Sequence, residues 1–351
     1  MTKLILRAAD LDGFLTEHDQ QNLHLLEEKY QEAMHLFQQY ENLHGDIPAQ
    51  AREDMTRVYS ELGHMMQGML ATEPRIHVFS FETPSFIHGE ASRLIAKLRD
   101  VRTEQPEFVY YVQRAYELLF TMAFQGDSNI KHHMLLRTPV QVPVRQYAIH
   151  KIPMVDDQTG NAVMCVMLRA ALLPSMIVSK EIQEYHSSGY VTPFALFKIG
   201  RDDRQTEKTM SYVLDLKKSY FDLDVLDGKD WFFADPMNAT GGSMITVVKF
   251  LLDQGVKPRS VKFFNIISAM KGCLRIARAI ENVEIYTLWM DPTLNEKAYI
   301  LPGVGDAGDR INGKDNHDQP RDMIQLIADY GTRINSLYRA QIRAIEKTVL
   351  G

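Results

Sequence analysis

Hydrophobic spacing along the chain changes character near residue 74. Upstream, Leu26, Tyr30, Met34, Phe37 and Tyr40 recur at three- and four-residue steps, and Met55, Val58, Leu62, Met65 and Met69 do so again. Apolar residues at that spacing line one face of a helix, and Gly45-Asp46-Ile47-Pro48 between the two runs supplies a turn. Residues 1–73 are therefore expected to form a helical hairpin, the sulfur-rich face of its second helix serving as adaptable core filler. Downstream, helices are expected around 91–98 and 107–124, followed by a continuous apolar run at 163–168 with the look of a buried strand. Strand signals at 191–199, 210–216, 231–234, 261–267 and 283–289 then alternate with helical ones at 244–253 and 274–280. This alternation predicts an α/β fold with a mainly parallel sheet, whose ligands bind at the carboxyl ends of the strands. The charged stretch 202–218 reads as a mobile hairpin, and 316–320 as a linker. A final helix within 321–351 is expected to present Met323, Ile327, Tyr330, Ile334 and Leu337 on one face.

At 351 residues and 45% hydrophobic, the chain can bury the core of two domains, or of one domain with additions. A formal charge of −6, from 39 basic and 45 acidic residues, gives no global electrostatic case for nucleic acid. The first twenty residues lack a long apolar run, so neither a secretory leader nor a membrane span is expected there, and a cytoplasmic location is. Cys165 and Cys273 sit in an apolar strand and an amphipathic helix, without metal-ligand or Cys-x-x-Cys spacing, and are expected to be buried thiols. The histidines are scattered, so no side-chain metal cage is expected.

Candidate chemistry concentrates in two stretches. In the first, the apolar strand Trp231-Phe232-Phe233-Ala234 runs into Asp235-Pro236-Met237-Asn238-Ala239-Thr240-Gly241-Gly242-Ser243 and then an amphipathic helix. Small side chains let backbone N–H groups converge, hydroxyls add donors, and a helix N-terminus adds partial positive charge, which together hold a phosphate. Asp235 would repel a bare phosphate, so a sugar phosphate with hydroxyls for the carboxylate fits better. In the second stretch, Gly303, Gly305 and Gly308 satisfy G-x-G-x-x-G. A dinucleotide fingerprint needs a strand before and a helix after, with an acid about 20 residues on; here Pro302 precedes and Asn312-Gly313 turns the chain at once.

The loop 235–243 resembles the phosphoribosyl pyrophosphate loop of phosphoribosyltransferases, in the version of the uracil phosphoribosyltransferases, with Asn238 where that family usually carries an aliphatic residue. Residues 294–310 resemble the same family's uracil-binding hood, Ala298 standing for the usual glycine and Val304 for leucine. The likeness covers roughly residues 76–315. It implies a Rossmann-like phosphoribosyltransferase sheet over 74–315 with a C-terminal hood at about 291–313; the helical extensions expected at 1–73 and 321–351 from their periodicity fall outside it.

Carried over position by position, the resemblance implies that Asp235 accepts the ribose hydroxyls and that Pro236, Met237, Asn238, Ala239, Thr240, Gly241, Gly242 and Ser243 hold the sugar phosphate. Ile300, Gly305, Asp306 and Ala307 match base-reading positions, with Asp306 also orienting the base or a metal-bound water. Leu168-Arg169-Ala170-Ala171 is similar to the family's pyrophosphate loop and Gly200-Arg201-Asp202-Asp203 to the opening of its mobile hairpin, which makes Arg169 and Arg201 the expected pyrophosphate contacts. Ala171 stands where the family has glycine. The implied substrates are phosphoribosyl pyrophosphate and uracil, with Mg²⁺ held mainly by the substrate. Charge and hydropathy add the expectation of no nucleic-acid or membrane partner, and the terminal helices, outside the resemblance, are expected to form the interface of a homodimer or higher homo-oligomer. A non-catalytic sensor of phosphoribosyl pyrophosphate or UMP on the same fold is the alternative.

Overall fold

A computed structural model describes residues 3–41, 47–82, 85–125, 130–202, 204–313, 325–327, 329 and 338–351. In chain order its strands are β1 (Lys3–Arg7), β2 (Ile76–Val78), β3 (Lys131–Arg137), β4 (Tyr147–Pro153), β5 (Ala162–Leu168), β6 (Phe194–Arg201), β7 (Ser211–Tyr220), β8 (Asp230–Ala234), β9 (Met237–Asn238), β10 (Ser260–Ala269), β11 (Val283–Asp291), β12 (Thr293–Leu294) and β13 (Ile300–Leu301).

One sheet runs in the order β1-β7-β6-β5-β8-β10-β11-β2, with β9 added to the end of β10. Neighbours from β6 to β2 are parallel, whereas β7 is antiparallel to both β6 and β1. Every residue of β5 and β8 is buried, because helices cover the sheet and a doubly covered strand needs apolar side chains on both faces. Helices Ser85–Arg99, Gln105–Gln125 and Leu172–Tyr185 pack in one group, and Gly242–Asp253 and Met270–Ala279 in another. From β5 the chain moves outward to β6 and β7, then returns to β8 on the other side of β5. The order reverses between β5 and β8, so the crevice at their carboxyl ends is the topological switch point where such sheets bind ligands.

The alternating core pattern is as expected, and the two helices Glu17–Tyr40 and Ala49–Leu70 pack together. On the second, the buried positions are Ala51, Val58, Leu62, Met66 and Leu70, so its methionines fill core and its rim. The first residues differ from expectation. Lys3–Arg7 is a strand rather than helix, pairing with β7 so that Leu6 lies opposite Tyr212. The pairing also alters the picture of 202–218: β7 has a neighbour on each side and belongs to the main sheet, so it is no free ribbon. The hairpin of β3 and β4 and the helix Leu172–Tyr185 carry no clear periodic signal and were not expected.

Both cysteines are free and buried, and burial pushes the Cys273 thiol up to about 12. At the C-terminal end, helix Arg339–Leu350 docks through Gln341 on Gln183 (3.0 Å) and Thr348 Oγ1 donating to the Phe194 carbonyl (3.1 Å). Ile327 is buried; the linker 316–320 and Met323, Tyr330, Ile334 and Leu337 lie outside the described residues.

Candidate active site

Asp235 follows β8 at the switch point. Its N–H donates to the Phe264 carbonyl at 3.1 Å, its own carbonyl accepts from Asn265 Nδ2 at 2.8 Å, and its Oδ1 accepts from the Met237 N–H at 3.1 Å. That last bond turns the chain back as a local carboxylate-to-backbone closure does. The side chain is half-buried. Desolvation pushes its pKa up to about 7, the Met237 N–H opposes this, the nearby Asp306 carboxylate adds to it, and the Arg201 charge opposes it.

The loop beyond Asp235 is shaped by close contacts. Met237 and Asn238 pair with Ile267 and Ser268. Gly241 has φ +75°, a region that favours glycine, and a Cβ there would lie 2.9 Å from Ile276 Cγ1. At Gly242 a Cβ would lie 2.2 Å from Tyr212 Cζ. Tyr212 in turn donates its hydroxyl to Thr240 Oγ1 at 2.6 Å, and that oxygen accepts from the Gly242 N–H at 3.3 Å. The helix Gly242–Asp253 begins here, so its unpaired first-turn amides and dipole belong to the loop. Pro236 and Thr240 are buried, and Met237, Ala239 and Ser243 half-buried. The Asn238 side chain is turned inward, its Nδ2 3.4 Å from Cys273 Sγ, so this residue offers a ligand only its backbone.

Arg169 follows β5 and donates to Asp309 Oδ1 at 3.1 Å and to the Gly313 carbonyl at 3.3 Å. The Leu168–Arg169 peptide bond is cis. Ala171 has φ −78° and ψ −8° and is fully buried; an alanine suits that right-handed backbone, so replacing glycine here imposes no left-handed strain. Arg201, the last residue of β6, sets its guanidinium 5.1 Å from the centre of the Tyr299 ring, a cation–π distance.

Over these elements lies the hood. β12 and β13 pair antiparallel, joined through Ala298 at φ +62° and Asn295, whose Oδ1 accepts from Lys297 and Tyr299 N–H at 2.9 Å. Asp306 caps the short helix Ala307–Asn312 by accepting from the Asp309 N–H at 2.9 Å. Ile300 and Ala307 are buried and Gly305 exposed. A Cβ on Gly308 would lie 3.1 Å from Asp306 Oδ1 and 3.7 Å from Ala170 Cβ, which places the hood against the loop after β5. Asp235, Asp306, Arg169 and Arg201 are thus gathered at one end of the sheet, together with the glycine-rich loop. Among the described residues no group of three or more His, Cys, Asp or Glu is arranged to hold a metal.

Several contributors were not apparent in the sequence. Arg99 grips Asp291 at 2.6 and 3.1 Å and donates to the Gly303 carbonyl at 3.2 Å, while Asp291 accepts the Gly303 N–H at 3.0 Å. Arg310 donates to the carbonyls of Leu98, Val304 (2.9 Å), Asp100 (3.2 Å) and Thr103 (3.2 Å), and lies 4.0 Å from the Phe108 ring centre. Together they pin the hood to the helix Ser85–Arg99 and the turn after it. Gly272 had one available signal, as a lone glycine inside a helical pattern: a Cβ there would lie 2.6 Å from the Ala239 carbonyl oxygen.

A carboxylate, a small-residue loop opening a helix, and two arginines at the switch point of a parallel sheet form an arrangement suited to a phosphate-bearing ligand, and the class of the chain is that of the phosphoribosyltransferases. Residues 87–313 match the family described as uracil phosphoribosyltransferase, and the chain belongs to that family. The uracil phosphoribosyltransferase of Campylobacter concisus is 33% identical over 220 residues, covering 61% of this chain and 89% of the relative. That of Lactococcus lactis subsp. lactis is 39% identical over 111 residues, 32% of this chain and 50% of the relative. A solved protein structure from Aquifex aeolicus aligns with a TM-score of 0.46 and 22% identity over 68% of this chain and 98% of its own. Residues before 87 and after 313 lie outside the family match.

Proposed function

We propose that the protein transfers the ribose 5-phosphate of phosphoribosyl pyrophosphate to uracil N1, giving UMP and pyrophosphate. The observation that carries this reading is the meeting of the hood with the crevice at the strand ends: a Cβ on Gly308 would lie 3.7 Å from Ala170 Cβ, Arg169 donates to Asp309 at 3.1 Å, and the Arg201 guanidinium lies 5.1 Å from the centre of the Tyr299 ring. An activated pentose in the loop would then face a base beneath the hood. Asp235 would accept the ribose hydroxyls, and the amides and hydroxyls of residues 239–243 the 5-phosphate. Uracil presents acceptor, donor and acceptor along one edge, an order that main-chain groups at Ile300 and residues 305–307 can match. Cytosine inverts part of it and would leave a buried polar group unpaired, at about 1–3 kcal/mol. The transition state develops oxocarbenium character, as at other glycosyl centres, so positioning and charge stabilisation are the main demands. Arg169 and Arg201 would meet the departing diphosphate, and both are already held at the hood, on Asp309 and Tyr299.

Two carboxylates near one another at the crevice suit a divalent cation held mainly by diphosphate oxygens and water, as magnesium prefers. When bound, Mg²⁺ would neutralise charge on the leaving diphosphate. Asp235 and Asp306 would then act through its waters.

Formation of UMP from labelled uracil, phosphoribosyl pyrophosphate and magnesium, with cytosine, hypoxanthine and orotate as controls, tests the assignment. Product with a control base instead of uracil would refute the substrate, and binding of the activated sugar without any product would favour the sensor alternative.

We also propose self-association, through the hairpin of β3 and β4 rather than the terminal helices. Val142, Ile149, Leu135 and Tyr147 there are more than half exposed, at 83%, 64%, 63% and 57%, and clustered exposed apolar side chains mark contact surfaces. Sedimentation of Val142→Asp/Ile149→Asp protein should show monomer; an unchanged oligomer would reject the hairpin.

A further inference from the structure

The phosphate loop rests on two supports, and residues 3–12 brace both. One support is Tyr212, packed on Gly242 and bonded to Thr240. It lies on β7, whose outer neighbour is β1, with Leu6 opposite Tyr212 and the Ala8 N–H donating to the Met210 carbonyl at 2.8 Å. The other support is the helix Met270–Ala279. Its Gly272 and Ile276 touch the loop at Ala239 and Gly241, and Arg275 donates to the Thr240 carbonyl at 3.4 Å.

Arg275 is fully buried, and a buried guanidinium persists only where carboxylates and carbonyls satisfy it. Its carboxylate partners are Asp12, from the short helix Ala8–Asp12, at 2.5 Å, and Glu207, from the loop after β6, at 2.9 Å. Both sit on the same cation that reaches Thr240. Lys271, one turn earlier, lies 3.0 Å from Glu207 and 3.7 Å from Asp12. One turn later, Arg278 is bound to Asp19 at 2.9 Å and to Glu73, and neither Asp19 nor Glu73 has a contact to the phosphate loop among those described.

We propose that residues 3–12 are a working part of the phosphate site, with Tyr212 and Arg275 as positioning residues that fix the Thr240–Gly242 backbone for the 5-phosphate. This rests on reading residues 235–243 as a ribose 5-phosphate site. Uracil is held elsewhere, on the hood, so the two substrates should respond differently. Loosening the brace raises KM for phosphoribosyl pyrophosphate and leaves KM for uracil in place.

The test uses full-length protein and calorimetric titration with phosphoribosyl pyrophosphate and with ribose 5-phosphate, beside the two KM values. Tyr212→Phe keeps the ring against Gly242 and removes the bond to Thr240; about tenfold weaker binding of both sugar phosphates is expected, in line with the loss of one buried hydrogen bond. Asp12→Asn leaves Glu207 on Arg275 and should weaken both about threefold, with Asp12→Glu restoring wild-type affinity. Asp19→Asn, on the same extension, should lower Tm without moving either affinity. Equal weakening by Asp19→Asn would reduce the effect to general docking of the extension and overturn the positioning role. Wild-type binding retained by both Tyr212→Phe and Asp12→Asn would overturn this inference alone, whereas wild-type protein that binds neither sugar phosphate removes the reading beneath it and this inference too.

Discussion

The glycine-rich loop 235–243 and the hood lie at the same end of the sheet yet are held by opposite means. The loop is shaped by what is absent: Gly241, Gly242 and Gly272 leave no room for a Cβ, and backbone closes directly on Tyr212 and on a neighbouring helix. The hood is secured by long cationic side chains, Arg99 and Arg310, that reach across to a carboxylate and to main-chain carbonyls. Close packing makes a stiff surface, which would suit the proposed phosphate, a group whose shape does not vary. Hydrogen-bonded straps hold a lobe by directed contacts, so a lobe of very short strands and one short helix can keep its place without a core of its own. Adding atoms should damage the loop, and removing atoms should damage the hood.

The largest effect is expected from Arg99→Met. Asp291, 2% exposed, would keep the Gly303 N–H alone among its described partners, and stripping one partner from a buried ion pair costs about 3–5 kcal/mol. Denaturant unfolding should show that loss, and in folded protein KM for uracil should rise more than KM for phosphoribosyl pyrophosphate; the reverse ranking would break the division between the two regions. Gly242→Ala comes next, at about 1–3 kcal/mol for an overpacked methyl, with the kinetic damage falling on the sugar phosphate. A crystal structure in which Tyr212 simply swings aside, with kinetics intact, would show the loop to be less stiff than its contacts suggest.

Acidity sharpens the comparison further. A carboxyl raised to about 7 lies above its unfolded value near 4, so the folded chain holds an extra proton between these values and that contribution to stability declines as pH rises through the window. Binding runs the other way, since an ionised Asp235 is the better acceptor for sugar hydroxyls. Ribose 5-phosphate should bind about tenfold more tightly near pH 8 than near pH 6. Asp235→Asn should keep only the ligand's own pH dependence; if the variant and wild type titrate identically, Asp235 does not govern the slope. The smallest change is expected at Ala298→Gly: relief of a left-handed alanine, about 1 kcal/mol, is offset by about 0.8 kcal/mol for one buried methyl. A stability change above about 1 kcal/mol in either direction would mean that one of these contributions dominates the turn.

Much of this arrangement was legible in the chain because its signals are local. The runs at 163–168 and 231–234 read as buried strands because both faces of the sheet are covered, and 235–243 read as a phosphate loop because its residue types permit little else at the start of a helix. The strand Lys3–Arg7 was not legible: its partner is more than two hundred residues away, and its five residues are partly or fully exposed, so periodicity had no buried face to report. The hairpin of β3 and β4 escaped for a similar reason, being exposed along most of both strands. The arginines show the same divide within one site. Arg169 and Arg201 stood out through the motifs around them, yet nothing near them indicated Asp309 or Tyr299 as their partners.

The sequence by itself determined the alternating α/β plan, the glycine-rich loop and its following helix, and the glycine-bearing hood, since each depends on residues adjacent in the chain and on steric rules that act at short range. Tertiary structure alone decided which distant groups close around them: Asp12 on Arg275, Arg99 on Asp291, Tyr212 beneath Gly242 and Asp309 on Arg169. Those pairings follow from strand order and helix packing, and a cation in a sequence does not specify which of 45 acidic residues the fold will bring to it.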